Sequence, residues 1–263
     1  MKNIFKMVSL LVLVLFSFFY TDRVMNFINK KDPLMNKIDL LKDKYEVLPV
    51  NAVLDSNTII PGVKGKSVDL DKSYENMKVS GIFREDYLVY NDILPSEMLS
   101  NNMDKYIIGG NTSSNRVSLL VITNYNNIDK INNNNITIFL NHKDVSINNI
   151  KKINKNSIYT YGNNGIYSEE ILDNDNTIIN RVSKNKSIYC LSMEKKNDTL
   201  SICNKKKMYV VIPSIIGDYL DIKNNLTNGS IILLNDMNNL DIIVKYINSK
   251  GYMIVPLEEL LTE

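Results

Sequence analysis

The feature that most constrains the fold is a regular alternation of short apolar runs and polar stretches between residues 116 and 263. The runs are rich in β-branched residues and have the length of strands, and the stretches between them suit crossover helices. Parallel strands joined by such crossovers form α/β sheets with right-handed connections. The predicted strands are Val117–Ile122, Ile136–Leu140, Ser157–Tyr161, Ser187–Leu191, Met208–Ile212, Ser230–Leu234 and Tyr252–Val255.

Helical patterns separate these runs. In the last of them, Leu240, Ile243 and Ile247 follow the spacing of one buried helix face. A closed or nearly closed barrel of about seven parallel strands is expected, because none of the runs has the polar pattern of an edge strand. Barrels of this kind place their sites at the carboxyl ends of the strands. The predicted helices are Ile147–Lys155, Thr177–Ser183, Glu194–Lys205, Tyr219–Leu226 and Leu240–Ser249.

The N-terminus carries an uninterrupted apolar run, Met7–Tyr20, after Lys2 and Lys6. Bulky aromatic residues stand where a signal-peptide cleavage site needs small ones, so residues 1–21 predict an uncleaved signal anchor or transmembrane helix. We therefore expect a membrane-anchored protein on the extracellular face of the cell membrane. Arg23 follows the run and weakens the charge bias that sets this orientation. A buried core helix is the alternative interpretation.

The chain between the anchor and the barrel divides into two predicted regions. Residues 22–49 predict a polar, helix-prone stalk, and residues 50–115 predict a small α+β accessory region. Residues 116–263 form the predicted barrel. Within the accessory region, the predicted elements are the apolar run Ile59–Ile60, a helix at Asp71–Val79, a strand at Tyr87–Tyr90 and the run Tyr106–Ile108.

Charge and cysteine content exclude some classes of function. The 31 basic residues nearly balance the 29 acidic ones, which gives no reason to expect a nucleic-acid partner. Cys190 and Cys203 either form a disulfide in an oxidising compartment or are buried thiols, and we favour buried thiols. Neither has a CxxC neighbour, which argues against a zinc site.

Two segments near the C-terminus carry a family resemblance. Residues 228–236 read NGSIILLND, and residues 250–261 read KGYMIVPLEELL. Both resemble the closing part of the polysaccharide deacetylase family, the NodB-homology domain of carbohydrate esterase family 4. Residues 116–263 resemble this domain more weakly, and the stretch from Pro61 to Tyr74 resembles the segment that precedes it in some bacterial members. The resemblance implies a distorted deacetylase-type (β/α) barrel.

The resemblance also implies which positions carry the family's chemistry. An Asp and two His hold a divalent metal, a second Asp acts as base, and a late His acts as acid in hydrolysis of an N-acetyl group. At the matching positions, Ile122 and Thr123 replace the two carboxylates. Asn164 and Ser168 replace the two metal-binding imidazoles, and Asn235 replaces the late His.

These replacements remove the donor set that the reaction needs. Amide and hydroxyl oxygens are poor zinc ligands beside imidazole and carboxylate, and Ile122 cannot act as a base. The sequence contains one histidine, His142, so one chain cannot form a metal site with two histidines. We therefore predict no metal, no cofactor and loss of the deacetylase reaction.

Other polar residues at the predicted barrel mouth are candidates for ligand binding, because Asn and Asp side chains hydrogen-bond sugar hydroxyls. His142 is a candidate contact or acid/base group, or else an exposed loop histidine. The favoured function is a cell-envelope pseudoenzyme that binds cell-wall or other polysaccharide or has a structural role. The candidate ligand-binding residues are Asn141, His142, Asn164, Asn235 and Asp236.

Two alternatives remain open. One is an active carbohydrate deacetylase that hydrolyses C–N amide bonds with non-standard residues, such as His142 and Asp236. The other is an envelope module for protein interaction, whose barrel mouth would be filled by side chains instead of forming an open groove.

Overall fold

The structure is a computed structural model that describes residues 2–29, 31–123, 131 and 135–263. The chain divides into two compact units. The first unit contains Met1–Pro49 and Lys64–Ile93, and the second contains Val50–Val63 and Leu94–Glu263. The predicted accessory region of residues 50–115 is therefore not a unit of its own, because its two ends belong to the same unit as the parallel strands.

The described residues form helices and short strands in the order that the sequence pattern predicts for the second unit. The helices span α1 (Lys2–Asn29), α2 (Pro33–Leu41), α3 (Leu70–Met77), α4 (Ile147–Lys152), α5 (Glu169–Val182), α6 (Asn197–Lys205), α7 (Tyr219–Asn225), α8 (Leu240–Ser249) and α9 (Leu257–Leu260). The strands span β1 (Val53–Asp55), β2 (Thr58–Ile60), β3 (Gly65–Val68), β4 (Tyr90–Ile93), β5 (Tyr106–Ile107), β6 (Arg116–Thr123), β7 (Thr137–Leu140), β8 (Ser157–Thr160), β9 (Tyr189–Leu191), β10 (Tyr209–Val211), β11 (Ile215–Gly217), β12 (Ile231–Leu234) and β13 (Met253–Ile254).

The first unit packs α2 and α3 with an antiparallel pair, β3 and β4. Asp32 caps α2 by accepting the Leu34 N–H at 2.7 Å, and Asp69 caps α3 by accepting the Lys72 N–H at 3.0 Å. The side-chain hydrogen bond from Lys72 also lowers the pKa of the Asp69 carboxyl.

The strand predicted at residues 87–90 is wrong in its position along the chain. A 3₁₀ turn ends at residue 87, and the strand begins at residue 90.

The predicted membrane anchor falls on α1. Within the described ranges, no helix combines the length and the apolar character needed to cross a membrane. The anchor is not confirmed and stays a prediction.

The second unit contains two sheets, and all seven predicted strands are present in it. One sheet has the order β11-β12-β6-β7-β8, in which every pair is parallel, and β13 also pairs with β6. The other has the order β1-β2-β5-β10-β9, with only β1 and β2 antiparallel. Three of these strands, β1, β2 and β5, precede the predicted barrel boundary. β11 lies between the predicted strand Met208–Ile212 and the predicted helix Tyr219–Leu226, where no element was predicted.

Alternate residues of the strands supply two hydrophobic layers. Leu119 and Val121 of β6 pack in the same cluster as Ile179 of α5 and Ile243 of α8. Leu120, which lies between them in sequence, packs with residues of both sheets in a second cluster. The helices therefore cover the outer face of the first sheet, and the second cluster fills the space between the sheets.

The predicted closed barrel is open between β8 and β9. No backbone ladder joins these two strands in the part of the chain that the structure describes. Instead, the Asn185 side chain accepts the Ile158 N–H at 2.9 Å and donates to the Ile158 carbonyl at 3.0 Å. One amide side chain thus satisfies the backbone edge that a neighbouring strand would satisfy.

The cysteines correct another expectation. Cys190 of β9 and Cys203 of α6 are both fully buried, as predicted, but they form a disulfide with Cα atoms 6.6 Å apart. The preference for free thiols was wrong because α6 packs back onto the sheet. This packing places Cys203 beside Cys190 in the cluster that also contains Met208 and Val210.

Candidate functional site

The residues predicted for the site follow four strands, β12, β6, β7 and β8, which are parallel neighbours. Their carboxyl ends meet at one edge of the sheet, which is where α/β folds place their sites. The residues lie as follows: Ile122 and Thr123 end β6, Asn141 and His142 follow β7, Asn164 and Ser168 follow β8, and Asn235 and Asp236 follow β12.

A small cavity marks the part of this edge between β6 and β12. It has a volume of about 180 Å³, and Ile122, Asn235 and Asp236 line it together. This volume is below the range of about 300–1,000 Å³ that is usual for ligand pockets. The Asp236 carboxylate accepts the Asn238 N–H at 2.8 Å, so it also holds the turn that follows β12. Thr123 is buried, at 3% exposure.

The segment after β8 brings two other predicted residues together. The Asn164 N–H donates to the Asn141 side-chain oxygen at 3.1 Å. Asn164 has a φ of 52° and Gly165 one of 82°, so the turn uses the left-handed conformations that Asn and Gly adopt most readily. The geometry therefore fixes Asn164 by its backbone.

Ser168 has a different role. Its hydroxyl accepts the Ile171 N–H at 3.2 Å and caps α5, whose first turn contains Glu169 and Glu170. The predicted start of this helix at Thr177 is therefore eight residues too late (177 − 169), and the missed signal is a Ser followed by two acidic residues. The Ser168 oxygen serves the helix.

His142 pairs with a residue that sequence reasoning missed. Its Nδ1 lies 2.7 Å from Oδ1 of Asp175, which is 1% exposed. Thr160 donates its hydroxyl to Oδ2 of Asp175 at 2.5 Å and accepts the Gly162 N–H at 2.9 Å. The imidazole is 44% exposed, but the buried carboxylate fixes its orientation. His142 is thus more than an exposed loop histidine.

The predicted residues form two groups. Asn141 and Asn164 are in direct contact, while Asn235 and Asp236 line the cavity between β6 and β12. Among the described residues, no three His, Cys, Asp or Glu side chains are arranged to hold a metal ion. The side chains present at the family's positions are one hydrocarbon, two hydroxyls and two amides. This set does not fit a divalent transition metal.

Parallel strands with helices outside, and a candidate site at the carboxyl strand ends, define an α/β fold that resembles an open barrel. Comparison with solved structures identifies the particular relatives. Wild-type BA3943 of Bacillus anthracis, described as a CE4 family pseudoenzyme, has a TM-score of 0.64 at 20% identity, covering 89% of this chain and 96% of that one. A BA3943 mutant, described as having restored enzymatic activity, has a TM-score of 0.66 at 20% identity, covering 88% of this chain and 99% of that one. At this identity, the similarity shows the fold.

A sequence comparison with curated proteins adds one relative. The chain is 38% identical over 92 residues to the uncharacterized protein YlxY of Bacillus subtilis (strain 168). The match spans 35% of this chain and 29% of the length of YlxY. No family model matches the chain. The comparisons therefore show that this chain shares the fold of the BA3943 structures.

Proposed function

We propose that the protein is a polysaccharide-deacetylase-like pseudoenzyme, which binds polysaccharide and does not deacetylate it. One observation carries the proposal: the strand ends at which the family carries its base, a metal ligand and its acid present Ile122, Asn164 and Asn235. Deacetylation by metal-activated water requires a Lewis acid and a base at this edge. None of these three side chains supplies either.

Polar groups at the same edge support binding. Asn141 and the His142 imidazole follow β7, and Asp236 lines the neighbouring cavity. Amide, imidazole and carboxylate groups together donate to and accept from sugar hydroxyls. The alternative in which His142 and Asp236 act together in an active enzyme has less support, because each belongs to a different group and already holds a local hydrogen bond.

We also propose that the protein is anchored in the cell membrane with the second unit on the extracellular face. The Cys190–Cys203 disulfide supports this location, because disulfides persist mainly in oxidising compartments. We propose no nucleic-acid partner, because the basic and acidic residues nearly balance. An epitope-tagged chain is expected to stay with the membrane fraction after carbonate washing, and recovery in the wash would contradict anchoring.

Acetate release tests the loss of catalysis. Purified protein with added Zn²⁺ or Co²⁺ is expected to release no acetate from chitooligosaccharide or peptidoglycan above the buffer rate. The matched comparison is a variant that restores the family's donors. Its substitutions are Ile122→Asp, Thr123→Asp, Asn164→His, Ser168→His and Asn235→His.

The restored variant is expected to bind Zn²⁺ and to gain acetate release, provided that circular dichroism shows native folding. Ser168→His removes the α5 cap, so a four-substitution variant that keeps Ser168 is measured beside it. Acetate release by the unmodified chain with tight metal binding would overturn the proposal.

A protein-interaction module is the second candidate function. The observation that favours it is the small cavity of about 180 Å³ at the predicted mouth, next to a hydrophobic layer that fills the space between the sheets. Pull-down with insoluble peptidoglycan and chitin separates the two candidates. Retention of the chain on either polymer supports the pseudoenzyme that binds glycan, and retention on neither favours the interaction module.

A further inference from the structure

A second cavity lies at the amino ends of β8 and β9, whereas the predicted site residues follow the carboxyl ends of their strands. Its volume is about 420 Å³, within the usual range of ligand sites. Residues 155–157, which lead into β8, and residues 184–186, which precede β9, form two of its walls. None of the predicted site residues lines this cavity.

Three lysines converge on it. Lys155, Lys184 and Lys186 line the cavity, and each is exposed to solvent. Within the part of the chain that the structure describes, none of their ammonium groups forms an ion pair, in contrast to Lys196 and Lys206. Like charges at one cavity repel each other, and a cleft lined by one sign of charge concentrates ions of the opposite sign. The cavity is therefore suited to an anion.

The carboxylate of Glu258 also lines the cavity, and it is already held by hydrogen bonds. Its Oε1 accepts the Ser157 hydroxyl, and its Oε2 accepts the Tyr159 hydroxyl at 2.9 Å. These bonds tie α9 to β8. Three ammonium groups against one carboxylate leave two positive charges in excess in the lining. A phosphomonoester, with a charge of about −1.5 to −2 at neutral pH, matches this excess better than a single carboxylate does.

Two asparagine side chains hold the segments that carry the lysines. The Asn185 side chain bonds both backbone groups of Ile158 and also donates to the Lys186 carbonyl at 3.2 Å. The Asn156 side chain, 5% exposed, donates to the Ile136 carbonyl at 2.9 Å. Because both segments are fixed to strands before a ligand binds, little backbone ordering opposes binding.

Apolar groups complete the lining. Ile188 and Pro256 are half-buried in it, and the aliphatic stems of the lysines add to this surface. A bare phosphate ion leaves these groups in contact with water. An organic substituent on the phosphate covers them, so the lining favours an ester over the free ion.

We propose that this cavity binds a small phosphomonoester. Its phosphate lies among Lys155, Lys184 and Lys186, and its organic group covers Ile188 and Pro256. The cavity and the candidate polysaccharide site lie at opposite ends of the strands, so this inference does not depend on the proposed function.

Amide chemical shifts of the full chain in detergent micelles test the inference. The probes are phenyl phosphate, inorganic phosphate, methyl phenyl phosphate and benzyl alcohol. Phenyl phosphate is expected to shift the Asn156, Asn185 and Ile188 amides, and inorganic phosphate is expected to shift them only at higher concentration. Methyl phenyl phosphate keeps the ring but carries one charge, so it is expected to bind at least about fivefold more weakly. Benzyl alcohol is expected to leave these amides unchanged.

Variants show whether the lysines carry the affinity. Lys184→Gln and Lys186→Gln are each expected to weaken phenyl phosphate binding at least about threefold, and the triple variant with Lys155→Gln is expected to abolish the shifts. Lys245→Gln, at an exposed position of α8 outside the cavity, is the charge-matched control and is expected to leave the affinity unchanged. Circular dichroism checks that each variant keeps the native fold.

Three results would overturn the inference: no amide shift with phenyl phosphate, equal affinity for methyl phenyl phosphate, or equal weakening by Lys245→Gln. Polymer pull-down reports separately on the proposed function. A chain that is retained on peptidoglycan but does not respond to phenyl phosphate keeps the proposed function and loses this inference. A chain that binds phenyl phosphate and is retained on neither polymer keeps this inference alone.

Discussion

A single buried carboxylate organises the edge of the parallel sheet where the candidate residues lie. Asp175 projects from α5 and joins His142, after β7, to Thr160 at the end of β8. A carboxylate at 1% exposure is costly to bury unless its oxygens are hydrogen-bonded. The pairing therefore orders the segment that also presents Asn164.

Replacing Asp175 tests how much its carboxylate contributes to the free energy of unfolding. Asp175→Ala leaves the Thr160 hydroxyl and His142 Nδ1 without their acceptor, so it is expected to lower the free energy of unfolding by about 3 kcal/mol. Urea unfolding followed by circular dichroism measures the change.

The control is Asp173→Ala on the same helix. The Asp173 side chain is 61% exposed and pairs with Lys206, so its removal is expected to cost less than about 1 kcal/mol. Equal losses of unfolding free energy for the two variants would show that the buried Asp175 contacts contribute no more to stability than an exposed ion pair.

At the residue scale, sequence reasoning located some side chains and missed others for physical reasons. Ile122 and Asn235 could be placed because each adjoins a strongly apolar strand, whose end fixes the position of its neighbour. Asp175 could not, because it lies in the polar run DNDN, where four similar side chains compete. Only the true start of α5, set by the Ser168 cap, shows which of them faces the sheet.

The positions of the strands in the sequence were predictable, but the strands that pair with each other in the sheets were not. The β-branched runs fix β6 to β10 and β12 locally, and each prediction lies within two residues of the observed strand. Pairing of β5 with β10 and β2 depends on contacts distant in sequence, because Val210 meets Tyr106. The hydrophobic period of the sequence carries no information about which strands pair. The predicted domain boundary at residue 115 therefore separated β1, β2 and β5 from the sheet that they join.

The disulfide is a testable link between two elements. Cys190 and Cys203 are separated by 13 residues and join β9 to α6, so they close a short loop in the unfolded chain. Reduction with dithiothreitol is expected to lower the free energy of unfolding by about 3 kcal/mol. Urea unfolding with and without reductant measures the loss.

The matched control is the double variant Cys190→Ala with Cys203→Ala. Its stability is expected to be unaffected by dithiothreitol, because no bond remains to be reduced. Two reactive thiols in a titration of the denatured, unreduced wild-type chain would contradict the disulfide.

Across the second unit, a row of aromatic rings crosses the space between the sheets. Phe139, Tyr159, Tyr189 and Tyr209 follow each other on adjacent strands, with ring centroids 5.4, 5.3 and 5.9 Å apart. The Tyr159 hydroxyl donates to Glu258 of α9 at 2.9 Å. These rings occupy the interior with side chains, so ligands are left to the cavities at the strand ends.

The buried phenols predict how the unit responds to alkaline pH. Burial is the main cause that raises the pKa of Tyr159, Tyr167 and Tyr189 in the folded state. The unfolded chain releases these protons near pH 10, while the folded chain retains them. The stability that they confer is therefore complete below about pH 10 and is lost as the pH rises above it.

Urea unfolding at pH 8, 10 and 11, with tyrosinate absorbance recorded in parallel, measures this loss. Tyr167→Phe removes one such phenol and its hydrogen bonds to Leu191, so it is expected to lower stability at pH 8 and to flatten the decline above pH 10. Tyr87→Phe, which removes a phenol on a side chain 38% exposed, is the control and is expected to leave the decline unchanged. If all 15 tyrosines ionise together while the protein stays folded, the buried phenols do not govern alkaline stability.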